Sequence, residues 1–365
     1  MRNLSPRRVV IKIGTNTICR QDGTVDHDYI ADIARQVVEL ESKGIQSIIV
    51  TSGAIGSGST ELNLNGKNKD IPMKQACAAV GQAILMLAYR TAFAKYAKPV
   101  GQILVTYGAF SDRKRYLNLR KTIEELFKLG VVPIVNENDV IATDEIDEVF
   151  GDNDKLSALV AANMDADLLI LLTDVDGLYD RNPNFDPDAR LLTVVDEITK
   201  DIERIAGDKR NERSVGGMRT KIAAAKIAMQ SGCNMVIANG RLENVVLRVV
   251  EGEEIGTLFT ATPKYTIKER WILFACPRGK LVIDEGAEKA VKEGKSLLLC
   301  GVQSIEGNFK KGDVVRIGNF AKGIVNFSSA EIVAMKVSSK CENSDQNSNR
   351  IRKAIIESEN IVLLN

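Results

Sequence analysis

Short β-branched runs alternate with longer stretches of helical period over roughly the first 260 residues, the pattern that parallel βαβ units leave in a sequence. Residues 9–13, 47–51, 102–106, 131–135, 168–173 and 235–238 read as strands. Between the first two, Ile30, Ile33, Ala34, Val37 and Val38 recur at i, i+3, i+4, i+7 and i+8, which turns one apolar stripe toward a sheet and marks a crossover helix. Residues 72–97 and 113–129 read as further helices. The run Leu168-Leu-Ile-Leu-Leu172 is apolar at every position, which requires burial on both faces, so the sheet is expected to carry helices on both sides.

Near residue 265 the pattern changes: helices become scarce and short strands follow one another at residues 280–284, 296–300, 314–317 and 323–327, punctuated by glycines. This predicts a second, small, β-rich barrel domain. Residues 338–349 read as a polar loop, and 361–364 as a returning strand. The expected division is a first domain over 1–262, a linker over 263–276 and a second domain over 277–365.

Composition narrows the function. Forty-nine basic residues face 48 acidic ones, which gives no global electrostatic case for a nucleic-acid or membrane-surface protein. The first residues do not read as a signal peptide, and no stretch reads as long enough to span a bilayer. The six cysteines are far apart and never form a C-x-x-C pair, which fits a reducing cytoplasm rather than a zinc ribbon or a disulfide framework. His27 is the one histidine, and its place in Asp26-His27-Asp28 reads as a helix entry. The chemistry must therefore run on lysines, carboxylates, backbone amides and a bound cofactor or metal.

In open α/β sheets ligands bind beyond the carboxyl ends of the strands. Lys12 and Gly14-Thr15-Asn16 follow the first strand, and Thr51-Ser52-Gly53-Ala54-Ile55-Gly56 the second. Asn136-Glu137-Asn138-Asp139 follows the fourth and Thr173-Asp174 the fifth. Gly216-Gly217, with Met218, Arg219, Thr220 and Lys221, opens an amphipathic run; it reads equally as an anion site at a helix N-terminus and as a Gly-rich turn capping a surface helix. Lys12 and Lys221 together could stabilise charge spreading over a phosphoryl group during transfer. Neither a Walker motif, a protein-kinase catalytic loop nor a Rossmann fingerprint occurs. The run Gly151-Asp152-Asn153-Asp154-Lys155 opens another helix, either as a capped terminus after a solvated loop or as a polar set that binds an ammonium group and orients the lysines.

With Lys12-Ile-Gly-Thr, Val50-Thr-Ser-Gly-Ala-Ile, Pro133-Ile-Val-Asn-Glu-Asn-Asp139, Gly151-Asp-Asn-Asp-Lys-Leu-Ser-Ala158, Leu172-Thr-Asp174 and Gly216-Gly-Met-x-Thr-Lys221 in this order, the chain resembles the glutamate 5-kinase family. The resemblance covers nearly the whole chain and implies the amino acid kinase fold, a mainly parallel sheet covered by helices on both faces, followed by a PUA domain. It implies transfer of the ATP γ-phosphate to the side-chain carboxylate of L-glutamate in proline biosynthesis, with Mg2+ chelated by the nucleotide phosphates.

By the same resemblance Lys12 and Lys221 contact the phosphates and the transferring group, and Asp154 holds the lysines. Ser52, Asp139 and Asn153 bind glutamate, with Asn136 and Asp152 nearby. Lys12, Thr173, Asp174, Val215, Gly216, Gly217, Met218, Arg219, Thr220 and Lys221 line the ATP site. A homo-oligomer and feedback inhibition by proline are also implied. Two other readings stand beside this one. Another kinase of the fold, acting on aspartate, carbamate, a nucleoside monophosphate or an isoprenoid phosphate, is disfavoured by the paired polar runs at 136–139 and 151–154. RNA binding through the PUA domain is not expected, because only modest basicity supports it, in Lys310-Lys311 and 350–353.

Overall fold

Six residues, Arg-Val-Val-Ile-Lys-Ile, form the central strand β1 (Arg8–Ile13) of the structure, a computed structural model that describes residues 1–64, 70–142, 153–183, 185–207, 217–262, 265–341 and 353–364. After it come α1 (Thr15–Ile18), α2 (His27–Ser42), β2 (Gln46–Val50), α3 (Ala54–Glu61), α4 (Ile71–Ala94), β3 (Val100–Val105), α5 (Gly108–Ser111), α6 (Arg113–Lys128) and β4 (Val132–Glu137). The chain continues through α7 (Asn153–Asn163), β5 (Leu168–Thr173), β6 (Val194–Val195), α8 (Lys200–Ala206), α9 (Met218–Gln230), β7 (Asn234–Asn239), α10 (Val245–Val250) and β8 (Thr257–Phe259). Two compact units result, one of Met1–Tyr107 and Asn118–Lys264, the other of Gly108–Leu117 and Tyr265–Asn365.

The first unit is built on an eight-stranded sheet in the order β3-β4-β2-β1-β5-β7-β8-β6. Its pairs are parallel except β7–β8, which is antiparallel. From β1 the chain moves outward to β2 on one side and later to β5 on the other, so β1 and β5 flank a topological switch point, where such sheets bind ligands. Successive side chains of a strand point to opposite faces. Val9, Ile11 and Ile13 join the core that holds Ile30, Ile33 and Val37 of α2 with Val245, Val246 and Val249 of α10. Lys12 therefore leaves β1 on the other face, where α7 packs against β1 and α9.

Helix α2 realises the expected stripe, and His27 is its first residue behind the cap Asp26, whose side chain accepts from the Tyr29 N–H. Helix α7 is buried at every position except Lys155, so its polar residues cannot be a solvated cap. The reading that no stretch could span a bilayer needs correction for α4. At 24 residues, with a mean hydropathy of 1.3 over its most apolar window, α4 passes that test by length and composition. It instead packs against α2, α3 and β3, burying Cys77, Ala78, Gly81, Leu85, Ala88, Tyr89, Ala92 and Phe93, which is how the central helix of a folded core satisfies the same apolar pattern.

The α3–α4 crossing depends on two glycines. A Cβ on Gly58 would lie 1.8 Å from the Cys77 carbonyl oxygen, and one on Gly81 would lie 1.8 Å from that of Ala54. Backbone cannot yield at that distance, so Gly81→Ala is expected to push the helices apart and destabilise the protein by about 1–3 kcal/mol, despite alanine's better helix propensity. Urea unfolding of the variant measures it, and an unchanged midpoint would contradict the close packing. Gly53, the residue before α3, has φ +97°, a conformation that suits glycine and sharply turns the chain after Ser52.

The second unit contains α11 (Ile267–Phe274), β9 (Gly279–Ile283), α12 (Glu285–Lys292), β10 (Leu297–Leu298), β11 (Val302–Gly307), β12 (Val314–Ile317), β13 (Ala321–Ile324), α13 (Ser329–Cys341), β14 (Ala354–Ile356) and β15 (Ile361–Leu363). Five strands form a sheet in the order β11-β9-β12-β13-β15, and β10 pairs with β14. Leu281, Val315, Ile317, Ala321, Ile332 and Ile355 lie in its core. Four local expectations change here. Helices are not scarce, residues 267–274 of the expected linker form a helix closed by a Thr266–Glu269 capping box, and the strand expected over 323–327 lies at β13. Part of the expected polar loop, residues 338–341, belongs to α13, while 342–349 lie outside the described residues.

Candidate active site

One carboxylate organises the strand-end edge of the first unit. Asp154, in the first turn of α7, places Oδ1 2.5 Å from Lys12 Nζ and Oδ2 3.0 Å from Lys221 Nζ. Lys12 arrives from the end of β1 and Lys221 from the first turn of α9. All three are buried, with 6% exposure for Lys12, 0% for Asp154 and 7% for Lys221. Burial by itself works against the Asp154 charge, but the two ammonium groups override it and hold the carboxyl well below the usual carboxylate range. Charges taken out of water persist only when paired in this way. Thr220 adds its hydroxyl, 3.1 Å from Asp154 Oδ2 and 2.8 Å from the Gly217 carbonyl oxygen.

A second cluster joins the ends of β2 and β4 to the start of α7. The Asn153 amide nitrogen donates to the Thr51 carbonyl at 2.6 Å, to Asn136 Oδ1 at 2.7 Å and to Ser52 Oγ at 3.3 Å. Ser52, Asn136 and Asn153 are all buried. Asp139, just beyond β4, is buried as well, and burial pushes its carboxyl up to about 6, with only its own backbone N–H acting against the shift. Asp152 lies outside the described residues.

The third cluster is the outer rim of the same edge. Thr173 closes β5 and donates to Asp174 Oδ1 at 3.1 Å, while Asp174 Oδ2 accepts from Asn16 at 2.9 Å. Gly217 caps α9 with extended backbone, and none of the described residues lies within 4 Å of the place a Cβ would occupy. The first N–H groups of the 13-residue helix α9 thus open beside Lys221, with Met218 half-buried and Arg219 exposed. Val215 and Gly216 lie outside the described residues. No group of three or more His, Cys, Asp or Glu side chains gathers as a metal cage among the described residues.

Asn16, named in the sequence only as following the first strand, and Gln82, not singled out there, also belong to these clusters. Asn16 holds Asp174, and Gln82 of α4 accepts from Asn136 Nδ2 at 2.8 Å. Gln82 lies beside the otherwise apolar stripe of Ala78, Leu85 and Tyr89, and a polar side chain there is the signal that could have found it.

A parallel sheet whose switch point carries two buried lysines and an open helix N-terminus is the arrangement of a phosphate-handling enzyme. Residues 7–239 match the amino acid kinase family, and residues 279–344 match the PUA domain. Glutamate 5-kinase from Methanosarcina acetivorans is 50% identical over 341 residues, spanning 90% of this chain and 89% of that protein. Glutamate 5-kinase from Caldanaerobacter subterraneus subsp. tengcongensis is 47% identical over 338 residues, spanning 90% of each. Among solved structures, the UMP kinase from Bacillus anthracis aligns with 71% of this chain and 98% of its own, with a TM-score of 0.49 and 17% identity. The chain belongs to the amino acid kinase family, among the glutamate 5-kinases with a PUA domain.

Proposed function

We propose that the protein transfers the γ-phosphoryl group of ATP to the side-chain carboxylate of L-glutamate, giving L-glutamyl 5-phosphate, the first step of proline biosynthesis. The observation that carries this reading is the pairing of Lys12 and Lys221 on Asp154 at the sheet's switch point. Carboxylate oxygen attacks the γ-phosphorus, the bond to the bridging β,γ-oxygen breaks, and ADP leaves. A carboxylate is already a nucleophile, so no general base is needed and a chain with a single histidine can do this chemistry. Positioning and charge neutralisation suffice, and those are what the two lysines supply.

Nucleotide phosphates meet the α9 N-terminus at Gly217, Met218, Arg219, Thr220 and Lys221, with Val215 and Gly216 just before it and with Thr173 and Asp174 on the rim. Mg2+ enters with ATP as part of the substrate. Glutamate sits among Ser52, Asn136, Asp139 and Asn153, with Asp152 adjoining. The protein works in the reducing cytoplasm as a homo-oligomer subject to feedback by proline, and RNA is not expected as a partner. Catalysis is assigned to residues 1–262 and the PUA domain to 277–365, joined by the segment 263–276. Trapping with hydroxylamine tests the reaction class: glutamate-dependent hydroxamate is expected with ATP and Mg2+, whereas ADP release without any hydroxamate would contradict acyl-phosphate formation.

Asp139 supplies the acidic partner for the substrate's α-ammonium, and its raised pKa gives that role a pH signature. Above about 6 the carboxylate is charged and binds the ammonium; below it protonation removes the attraction. The value of kcat/KM for glutamate is therefore expected to fall as pH drops through about 6, a limb absent in Asp139→Asn. Stability moves the other way. The folded state holds this proton more tightly than the unfolded chain, so the buried charge costs stability at neutral pH, and Asp139→Asn is expected to gain roughly 1–3 kcal/mol there while losing glutamate affinity. A variant neither stabilised nor weakened in glutamate binding would contradict the assignment.

A further inference from the structure

Three side-chain amides form a chain whose direction is fixed by the backbone. The Thr51 carbonyl can only accept, so the Asn153 atom facing it at 2.6 Å is Nδ2. The Glu137 N–H can only donate, so the Asn136 atom facing it at 2.9 Å is Oδ1, which also takes the Asn153 amide. Asn136 is thereby left to donate through Nδ2, and Gln82 must answer with Oε1, as it does at 2.8 Å. The two ends of this relay are unsatisfied: Gln82 Nε2 and Asn153 Oδ1 are buried atoms with no hydrogen-bond partner among the described residues. Leaving such groups bare costs about 1–3 kcal/mol each, so they call for a ligand that accepts at one end and donates at the other.

A free amino acid has that polarity. Its α-carboxylate only accepts and its α-ammonium only donates. We propose that Gln82 is a substrate-contacting specificity residue, its Nε2 amide donating to the α-carboxylate of the bound amino acid while Asn153 Oδ1 accepts from the α-ammonium. The inference rests on glutamate being the acceptor substrate and adds a residue and a direction to that reading. Asn136 links the two ends, accepting from Asn153 and the Glu137 N–H and donating to Gln82, so it orients both amides. Gln82 comes from α4, an element that contributes no other residue to the site, which makes the substrate pocket depend on the α3–α4 packing.

The test is Gln82→Glu in the full-length enzyme. The new carboxylate can still accept from Asn136 but has no proton to donate and opposes the substrate carboxylate. At pH 8 the KM for L-glutamate is expected to rise on the order of 100-fold, with the KM for ATP and the thermal midpoint near wild type. As pH is lowered toward 5, protonation of the new side chain restores a donor, so the ratio of variant to wild-type KM is expected to shrink. Should that variant not fold, Gln82→Leu removes the donor without adding charge and is expected to raise the glutamate KM selectively. A glutamate KM within twofold of wild type, or an equal rise in the KM for ATP, overturns the role of Gln82 while the glutamate kinase reading stands. A wild-type enzyme that does not turn over glutamate overturns that reading and this inference with it.

Discussion

Asp154→Asn is expected to lower kcat on the order of 10^3-fold and to destabilise the protein by about 3–5 kcal/mol. The asparagine has nearly the same shape, so packing is not what is lost. What is lost is the carboxylate that pairs with both ammonium groups, each of which leaves bulk water to reach it. Removing the shared member of a buried ionic cluster leaves the lysine charges poorly compensated, so the lysines are expected to shift toward solvent. That shift takes them away from the transferring phosphoryl group. The sign of the pH dependence follows as well: because the folded carboxyl lies well below its ordinary value, its stabilisation is present above the unfolded pKa of about 4 and is lost only as pH falls through the depressed folded value. Acid unfolding of the wild type should therefore persist as a stabilised arm to lower pH than in the asparagine variant, and coincident acid-unfolding curves would contradict the pairing.

Lys221→Ala and Lys12→Ala should each lower kcat by about 10^2–10^3-fold, with little change in the KM for glutamate. Each leaves Asp154 with one lysine, so stability falls less than in Asp154→Asn. The two ammonium groups act on one developing charge distribution through one shared carboxylate, and such groups are not independent. The double variant is therefore expected to lose much less than the product of the two single effects. Steady-state kinetics of the three variants measures this. A large rise in glutamate KM at unchanged kcat would instead make the lysines ground-state binding groups.

Where periodicity was strong, the fold could be read from the chain. The apolar run of β5, the stripe of α2 and the β-branched β1 each meet a sheet core because no other arrangement buries them. The second unit was harder for a physical reason. Gly286 and Gly294 read as turn signals, yet the first lies within α12 and the second, at φ +79°, just beyond its C-cap, where glycine ends a helix. Thr266 and Glu269 carry a capping box, but the helix after it is only eight residues long, too short for a persuasive stripe.

The site was legible as a set of strand-end segments, because small, glycine-rich and acidic residues follow the strands where backbone must approach a ligand. Its internal wiring was not. Asp154 could be a helix cap or an ion-pair centre until burial and two lysines from distant segments decided between them. Gln82 escaped notice because a polar residue in a long, mostly apolar helix has no local meaning until the partner from β4 is in place. Both cases share a cause: the charge or the hydrogen bond that gives the residue its role is contributed by another part of the chain.

The most direct measurement is ADP release from ATP and Mg2+ by the wild-type protein, comparing L-glutamate, L-aspartate and N-acetyl-L-glutamate. Turnover with L-glutamate, and little with the shorter acid or with the analogue whose ammonium is capped, is the predicted result. Equal rates with glutamate and N-acetylglutamate would contradict ammonium recognition by Asp139 and Asn153, and no glutamate-dependent release would contradict the proposed reaction.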